Sequence, residues 1–165
     1  MFMTFRLLPV IAAAALCMPL SVSAQGLFGR DRSAQSHDMP VACDNGRFLA
    51  DQQGLEQTGP TGIDLPEHLC GQVIAVSPRA KRTRSGWHGY FYMSVGQGVS
   101  IRIVSDLDQM SAPQWPWVSK GDQVEVQGRY YYDSLRRQGV DWTHHGTGRK
   151  WQWPGYVVVN GNRYQ

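Results

Sequence analysis

Short apolar stretches separated by turn residues dominate the second half of this chain. They predict strands at residues 69–76, 89–95, 99–104, 123–132 and 139–144. The alternation is clearest in the fourth stretch, where one face carries Val124, Val126, Gly128, Tyr130 and Tyr132. A period of two over this length is typical of a strand that buries one of its faces.

Turn residues connect these strands. Residues 96–98, Gly-Gln-Gly, predict a tight hairpin between the second and third strands. Asn160-Gly161 predicts a type I′ turn between residues 156–159 and a last short strand at Arg163 and Tyr164.

Two segments carry weaker helical signals. After the third strand, Ser105 and Asp106 are suitable caps for a short helix through Met110. Residues 48–56 predict only a helical turn, because several glycines and prolines interrupt the surrounding segment.

Three strands, a short helix and two further strands is the element order of an OB-fold. We therefore expect a mainly β protein, a small OB-like Greek-key barrel of about five strands with a C-terminal hairpin and one short helix. A β-sandwich is the alternative, because strand number alone does not separate the two architectures. Residues 43–165 are expected to form a single OB-like domain, tethered at its N-terminal extension by a disulfide, after a flexible segment at residues 25–42.

The first 24 residues resemble a signal peptide. Arg6 precedes an apolar run at residues 7–20 that is too short to cross a bilayer, and Val22-Ser23-Ala24 fits a cleavage site. No later segment is apolar enough to span a membrane. We therefore expect a periplasmic or secreted protein that begins near Gln25.

Removal of this leader leaves two cysteines, Cys43 and Cys70, in an oxidising compartment. Their spacing is not that of a CxxC redox motif, so a structural disulfide is the expected pairing. In the chain-entropy account such a bridge stabilises the fold by about 3–4 kcal/mol.

Acidic and basic residues concentrate in different parts of the mature chain. Residues 25–70 carry seven acidic residues against three arginines, whereas the rest of the chain carries twelve lysines and arginines against six acidic residues. The later part also contains all six tryptophans. This part is therefore expected to bear the binding surface.

The basic residues concentrate in the two loops with which OB-folds commonly bind ligands. The first loop contributes Arg79, Lys81, Arg82, Arg84, Trp87 and His88, and the second contributes Arg136 and Arg137. Between them the strands offer Tyr90, Tyr92 and Arg102. Cations interleaved with aromatic rings favour an anionic or sugar-containing ligand, such as a nucleic acid, an acidic glycan or a lipid headgroup. A solvated loop with surplus charge is the alternative interpretation.

The adjacent histidines at the end of the fifth predicted strand invite a metal or catalytic interpretation. Consecutive side chains on a strand point to opposite faces, so His144 and His145 do not bind one ion unless the strand has already ended. A metal site would recruit a distant group, with His88 the first choice and His68 the second. We expect instead that one histidine lies in the barrel wall and the other is exposed. No nucleophile elbow, phosphate loop or zinc-spaced cysteine set accompanies them, so no catalytic residue, metal or cofactor is predicted.

Several motifs recur together in a bacterial family of exported proteins. They are Cys70-Gly71-Gln72-Val73, Trp87-His88-Gly89-Tyr90-Phe91, Lys120-Gly121-Asp122, Gly128-Arg129-Tyr130, Trp142-Thr143-His144-His145 and the closing Asn160-Gly161-Asn162-Arg163-Tyr164-Gln165. From residue 70 onward the chain resembles this family, domain of unknown function 3465. The resemblance implies an OB-like periplasmic domain without an established activity. It departs from the family at Ser105-Asp106 and Gly146-Thr147, where many members carry His-Asn and Asp-Pro.

The sequence thus favours a ligand-binding module whose binding residues include Trp142, His144 and His145 beside the basic loops. Two other hypotheses remain open. One is a metal-assisted, nuclease-like hydrolase that uses His88, His144 and His145. The other is a protein-interaction domain of an envelope assembly.

Overall fold

The computed structural model describes residues 38–62, 64–149 and 151–165, and within them the chain forms one helix and eight strands. The predicted leader lies outside the described residues, as does most of the predicted N-terminal segment. The elements are α1 (Asn45–Thr58), β1 (Leu65–Val76), β2 (Lys81–Thr83), β3 (Gly86–Gly96), β4 (Val99–Asp106), β5 (Gln123–Ser134), β6 (Arg137–Asp141), β7 (Tyr156–Val159) and β8 (Asn162–Tyr164).

Five of these strands close a ring. β1 pairs with β3, β3 with β4, β4 with β6, and β6 with β5, which returns to β1. Every pairing is antiparallel except that of β4 with β6. This connectivity confirms the predicted small OB-like barrel, and the β-sandwich alternative is wrong because the strands belong to one continuous sheet.

The long strand β1 serves two neighbours. Its first part, Leu65 to Gln72, pairs with β5, and its last part pairs with β3 across a register shift after Val73. At Gly71, where the strand changes partner, a Cβ atom would lie 1.9 Å from the carbonyl oxygen of Ser94. A glycine is therefore required for the two strands to approach here.

Strand alternation places the core inside the ring. The predicted alternation of β5 is confirmed, since Val124, Val126 and Tyr130 are buried while the intervening residues are not. The other ring strands contribute fully buried side chains, Leu69, Phe91, Ile101, Ile103 and Val140. The residues that alternate with these point to the outer face of the ring.

A helix covers one end of the barrel. The expectation of no more than a helical turn at residues 48–56 is wrong, because α1 has 14 residues. The Asp44 side chain accepts a hydrogen bond from the backbone N–H of Arg47 and so caps the helix. Phe48 and Leu55 are buried, and the ring of Phe48 meets that of Tyr130 edge-on at 4.9 Å. Tertiary packing therefore stabilises a helix that its local sequence signals poorly.

The predicted disulfide between Cys43 and Cys70 is confirmed, with 5.6 Å between the two Cα atoms. It joins the residues just before α1 to β1. The side chain of Asn45 adds a hydrogen bond to the Cys70 carbonyl at 2.7 Å. Among the described residues, no helix is both long and apolar enough to cross a bilayer.

Two predicted connections differ from the structure. The short helix at residues 105–110 is wrong: β4 continues to Asp106, and a turn follows in which the Met110 N–H bonds to the Asp106 carbonyl. The first basic loop is not a loop throughout, because Lys81–Thr83 forms β2 and pairs with the start of β3. β3 accordingly begins at Gly86, three residues earlier than predicted.

The fifth predicted strand ends early, which changes the placement of the histidine pair. β6 stops at Asp141, and Trp142 adopts a φ of 54°, so residues 142–144 leave the strand. By contrast, the C-terminal hairpin is confirmed: Asn160 and Gly161 have φ values of 48° and 89°, as a type I′ turn requires.

A buried carboxyl lies between β1 and α1. Glu67 is fully buried, and its burial raises its pKa to about 8, an effect that nearby Arg47 only partly offsets. The native state therefore holds a proton on Glu67 at pH values where the unfolded chain has released it.

Replacing Glu67 by glutamine is expected to flatten the pH dependence of stability. In the parent protein the contribution of Glu67 to the free energy of unfolding is greatest below the ordinary carboxyl pKa of about 4.5 and falls as the pH rises to about 8. The loss is expected to reach several kcal/mol, with about 5 kcal/mol as its upper bound. Urea denaturation of the parent protein and of Glu67→Gln at pH 5, 6.5 and 8 measures this. Parallel curves for the two proteins would contradict the assignment.

Candidate functional site

The outer face of the ring carries the residues that alternate with the core. On β3 and β4, His88 lies opposite Asp106 and Tyr92 lies opposite Arg102. On the neighbouring pair, β5 places Arg129 opposite Asp141 of β6. The face has two parts with different chemistry, a cationic patch and a polar pocket.

The cationic patch consists of Lys81, Tyr90, Tyr92, Arg102, Tyr131 and Arg136. Arg102 lies at its centre, with its guanidinium carbon 5.9 Å from the ring centroid of Tyr90 and 5.8 Å from that of Tyr131. The Lys81 ammonium lies 6.0 Å from the Tyr90 centroid. The patch thus combines positive charge with aromatic surface, as the sequence predicted.

Tyr131 fixes the position of Arg102. A guanidinium N–H of Arg102 donates to the Tyr131 hydroxyl. Burial raises the pKa of Tyr131, against the opposing effect of Arg102, so the phenol stays protonated at neutral pH. The guanidinium is therefore oriented without being neutralised by a carboxylate.

Gly139 makes this arrangement sterically feasible. A Cβ atom at this position would lie 2.7 Å from the Tyr131 hydroxyl oxygen and 2.9 Å from the Arg102 carbonyl oxygen. Any side chain here would displace Tyr131 from the guanidinium.

At the far end of the patch, Arg136 and Tyr92 line a small depression together with Arg102. Tyr92 is 41% exposed, so its ring is accessible. The two basic loops therefore lie at opposite ends of one face, and each contributes one cation to the patch.

The other basic residues of the two loops lie elsewhere. Arg82 pairs with Trp87 across β2 and β3, which directs both away from the side that carries Lys81 and His88. Arg137 forms an exposed ion pair with Asp133 at 3.3 Å, and Arg84 is exposed in the turn after β2. Of the predicted binding cations, Arg82, Arg84 and Arg137 are thus not brought to the cationic patch.

Trp87 and Arg79 belong to a separate cleft. It is an open cleft of about 550 Å³ whose walls also include Trp115, Pro113 and Asp108. The Trp87 indole is 46% exposed, and its backbone N–H donates to the Asp108 carboxylate at 2.9 Å. These two predicted binding residues therefore do not share a pocket with the cationic patch.

The polar pocket lies beside the patch, where residues 142–146 fold over the outer face. Its volume is about 230 Å³, and its lining is Ser85, His88, Val104, Asp106, Gln109, Arg129, Asp141, Trp142 and His144. Of the four histidines named from the sequence, His88 and His144 meet here. His145 is exposed and does not line the pocket.

His88 has a defined hydrogen-bonding role. Its Nδ1 lies 3.0 Å from the Gly86 carbonyl oxygen, which only accepts hydrogen bonds, so Nδ1 carries the proton. In the neutral ring the lone pair of Nε2 then faces the pocket, 4.0 Å from the Asp106 carboxylate and 3.5 Å from the Ser85 hydroxyl. The Asp106 carboxylate is itself held by the side chain of Gln109 at 2.7 Å.

His144 forms the opposite wall. It is 4% exposed, and burial lowers its pKa below the ordinary 6.5, so the ring is neutral at neutral pH. Its Nδ1 has no hydrogen-bond partner among the described residues. One histidine of the pair is thus buried and the other exposed, but the buried one lies beyond the end of β6, so the expectation that it hydrogen-bonds within the barrel wall is wrong.

A layered wall supports His144. Its ring stacks on Trp142 at 5.3 Å, and Trp142 in turn lies 5.6 Å from the Arg129 guanidinium. Arg129 donates two hydrogen bonds to Asp141, at 2.7 and 2.8 Å, and a third to Asp64 at 3.0 Å. Arg129 therefore belongs to the frame of the pocket, and its charge is already paired.

Several residues of this site were not named from the sequence as binding residues. Tyr131 and Arg129 follow from the alternation of β5, which sends them outward once their neighbours are assigned to the core. Gln109 and Ser85 had no comparable signal, because their positions depend on the turns after β4 and β2. Asp106 was not named because the third strand was expected to end at residue 104, whereas β4 continues to Asp106.

Comparisons of this chain with protein-family models, with curated proteins and with solved structures found no match. The resemblance to domain of unknown function 3465 stays a prediction. We therefore infer the candidate site from the geometry of the described residues alone.

Replacing Gly139 by alanine is expected to disrupt the cationic patch. The added methyl group would push against Tyr131 and the β4 backbone, at a cost of about 1–3 kcal/mol in the free energy of unfolding. Gly54→Ala is the control, since its Cβ meets nothing within 4 Å in α1. That change is expected to stabilise the protein by up to about 1 kcal/mol. Urea denaturation measures both, and equal effects of the two changes would contradict the close packing at Gly139.

Proposed function

We propose that this protein is an exported OB-like binding module that holds an anionic ligand on the outer face of its barrel. The observation that carries the proposal is the position of Arg102 between Tyr90 and Tyr131, flanked by Lys81 and Arg136. The predicted signal peptide and the family resemblance support an exported protein.

The electrostatics of the cationic patch favour an anion. Arg102 is oriented by a phenol, which leaves its full charge for a ligand. Arg129, which lies on the same face, differs because two carboxylates neutralise it. The patch is therefore the part of the outer face where a phosphate, sulfate or carboxylate group gains charge-assisted hydrogen bonds.

The aromatic rings supply the second element of recognition. Tyr90 and Tyr92 alternate along β3 with core residues, so both rings lie along the outer face beside Arg102. OB-folds that bind single strands or oligosaccharides place ligands on this same face, where planar groups stack on aromatic side chains.

Binding of a polyanion is expected to depend on salt through the patch. With three cations engaged, the affinity for a labelled single-stranded oligonucleotide or polyphosphate should fall with a log–log slope near −2, about −0.7 per cation. The triple variant Lys81→Gln, Arg102→Gln, Arg136→Gln is expected to bring the slope close to zero. Fluorescence polarisation at 50 to 200 mM salt measures it.

The matched control also neutralises three cations, all of them in the two basic loops, through Arg82→Gln, Arg84→Gln and Arg137→Gln. These residues lie off the patch, so most of the binding should survive. If the control variant loses as much affinity as the patch variant, binding depends on diffuse loop charge and the proposed face is wrong. Absence of salt-dependent binding in the parent protein would instead favour a protein-interaction domain.

A metal-assisted hydrolase is a second candidate, favoured by one observation. His88 and His144 line one pocket together with Asp106, and neutral imidazoles and a carboxylate are common zinc ligands. A metal site needs at least three His, Cys, Asp or Glu side chains whose ligand atoms lie close together. Among the described residues, the only such group with ligand atoms within 4.8 Å of one another is Cys43, Cys70 and Glu125. Its cysteines form the disulfide, so a metal site at His88 would need its side chains to move.

Metal analysis tests this second candidate directly. If the pocket holds zinc or manganese, the protein should retain about one equivalent after dialysis, and His88→Ala or His144→Ala should abolish retention. His145→Ala is the control, because that side chain lies outside the pocket. Retention that survives in all three variants, or no retention in the parent protein, would count against a hydrolase built on these residues.

A further inference from the structure

We propose that the polar pocket is a saccharide subsite, so that the anionic ligand of this module is an oligosaccharide carrying an acidic group. This inference rests on the proposed function, because the acidic group is the one bound at the cationic patch. It adds the chemical class of the ligand and the length that the ligand must have.

The polar atoms that face the pocket are chiefly hydrogen-bond acceptors. The Asp106 carboxylate lies 4.0 Å from Nε2 of His88, whose Nδ1 is held by the Gly86 carbonyl. Gln109 uses its amide N–H on Asp106, which leaves its carbonyl oxygen as an acceptor. Such a pocket binds a group that donates several hydrogen bonds at once.

Charge distinguishes this pocket from the cationic patch. Arg129 is already paired with Asp141 and Asp64, so it adds no free positive charge to the pocket, whereas Asp106 contributes a carboxylate. A phosphate or carboxylate is repelled from such a place, whereas hydroxyl groups are bound by carboxylate and imidazole acceptors. The acidic group and the hydroxyl-bearing ring of the ligand are therefore separated by the two parts of the face.

The dimensions fit one sugar ring in the pocket. Its volume of about 230 Å³ is below the range of roughly 300–1,000 Å³ typical of ligand pockets, so it has room for one small ring rather than an extended chain. The His144 ring, which stacks on Trp142, gives the pocket an aromatic surface, and the C–H face of a sugar ring packs on such a surface.

The distance between the two parts sets the ligand length. Asp106 and Arg102 lie on the same face of β4, four residues apart, which corresponds to about 13 Å. Between Asp106 and Arg102 lie Val104 and Tyr90, which give an apolar surface on which the middle sugar ring of a trisaccharide can pack. A ligand that uses both ends must therefore extend over about three sugar units.

The test compares three probes in calorimetry: a linear glucose trisaccharide with one terminal phosphate, glucose phosphate, and inorganic triphosphate. The trisaccharide phosphate should bind at least about tenfold more tightly than glucose phosphate, since only it reaches the pocket. Asp106→Asn, which turns an acceptor into a donor, should remove that advantage and leave triphosphate binding unchanged. His88→Ala should act in the same direction, and His145→Ala should leave all three affinities unchanged.

The outcomes separate this inference from the function on which it rests. If triphosphate and the trisaccharide phosphate both bind through Arg102 but Asp106→Asn has no effect on either, the saccharide subsite is wrong and the anion site stands. A single-stranded oligonucleotide that binds tightly and depends on Asp106 in the same way would also overturn the saccharide assignment. If Arg102→Gln binds triphosphate and the trisaccharide phosphate as tightly as the parent protein does, the anion site itself is wrong.

Discussion

The whole arrangement depends on the closure of the ring, which requires β1 to pair with β5 along its first part and with β3 along its last. That closure is feasible only because Gly71 allows β1 to approach the Ser94 carbonyl. Once the ring is closed, the alternation of side chains along each strand fixes whether a residue points into the core or to the outer face. The candidate site consists of those residues that this constraint sends outward on β3 to β6.

Two arginines on the outer face differ in the partners that hold them. Arg102 is oriented by the neutral hydroxyl of Tyr131, whereas Arg129 is held by the carboxylates of Asp141 and Asp64. The first keeps its charge for a ligand, and the second contributes rigidity to the pocket wall. The two arginines have the same chemistry, and their partners alone give them different roles.

Predictions from the sequence were confirmed where residues close together in the chain determine the structure. The alternation of β5, the Asn160-Gly161 turn and the Cys43–Cys70 pairing all follow from short-range geometry or from simple pairing. They failed where tertiary contacts decide. α1 has interrupting residues around it, yet Phe48 packs on Tyr130 and the disulfide fixes its start, so the helix forms. The end of β6 at Asp141 was missed because the turn begins at Trp142, a non-glycine residue with positive φ.

By itself, the sequence determined the barrel class, the inward residues and the presence of cations with aromatic side chains in and near the two basic loops. Only the tertiary structure decided which of those residues meet. Lys81 and Arg82 are adjacent in the chain, yet the pairing of β2 with β3 sends one toward Tyr90 and the other to the opposite side with Trp87. His88 and His144, far apart in the chain, line one pocket, while His145 points to solvent. The physical reason is that register and strand ends fix the direction of each side chain, and both depend on pairings between distant segments.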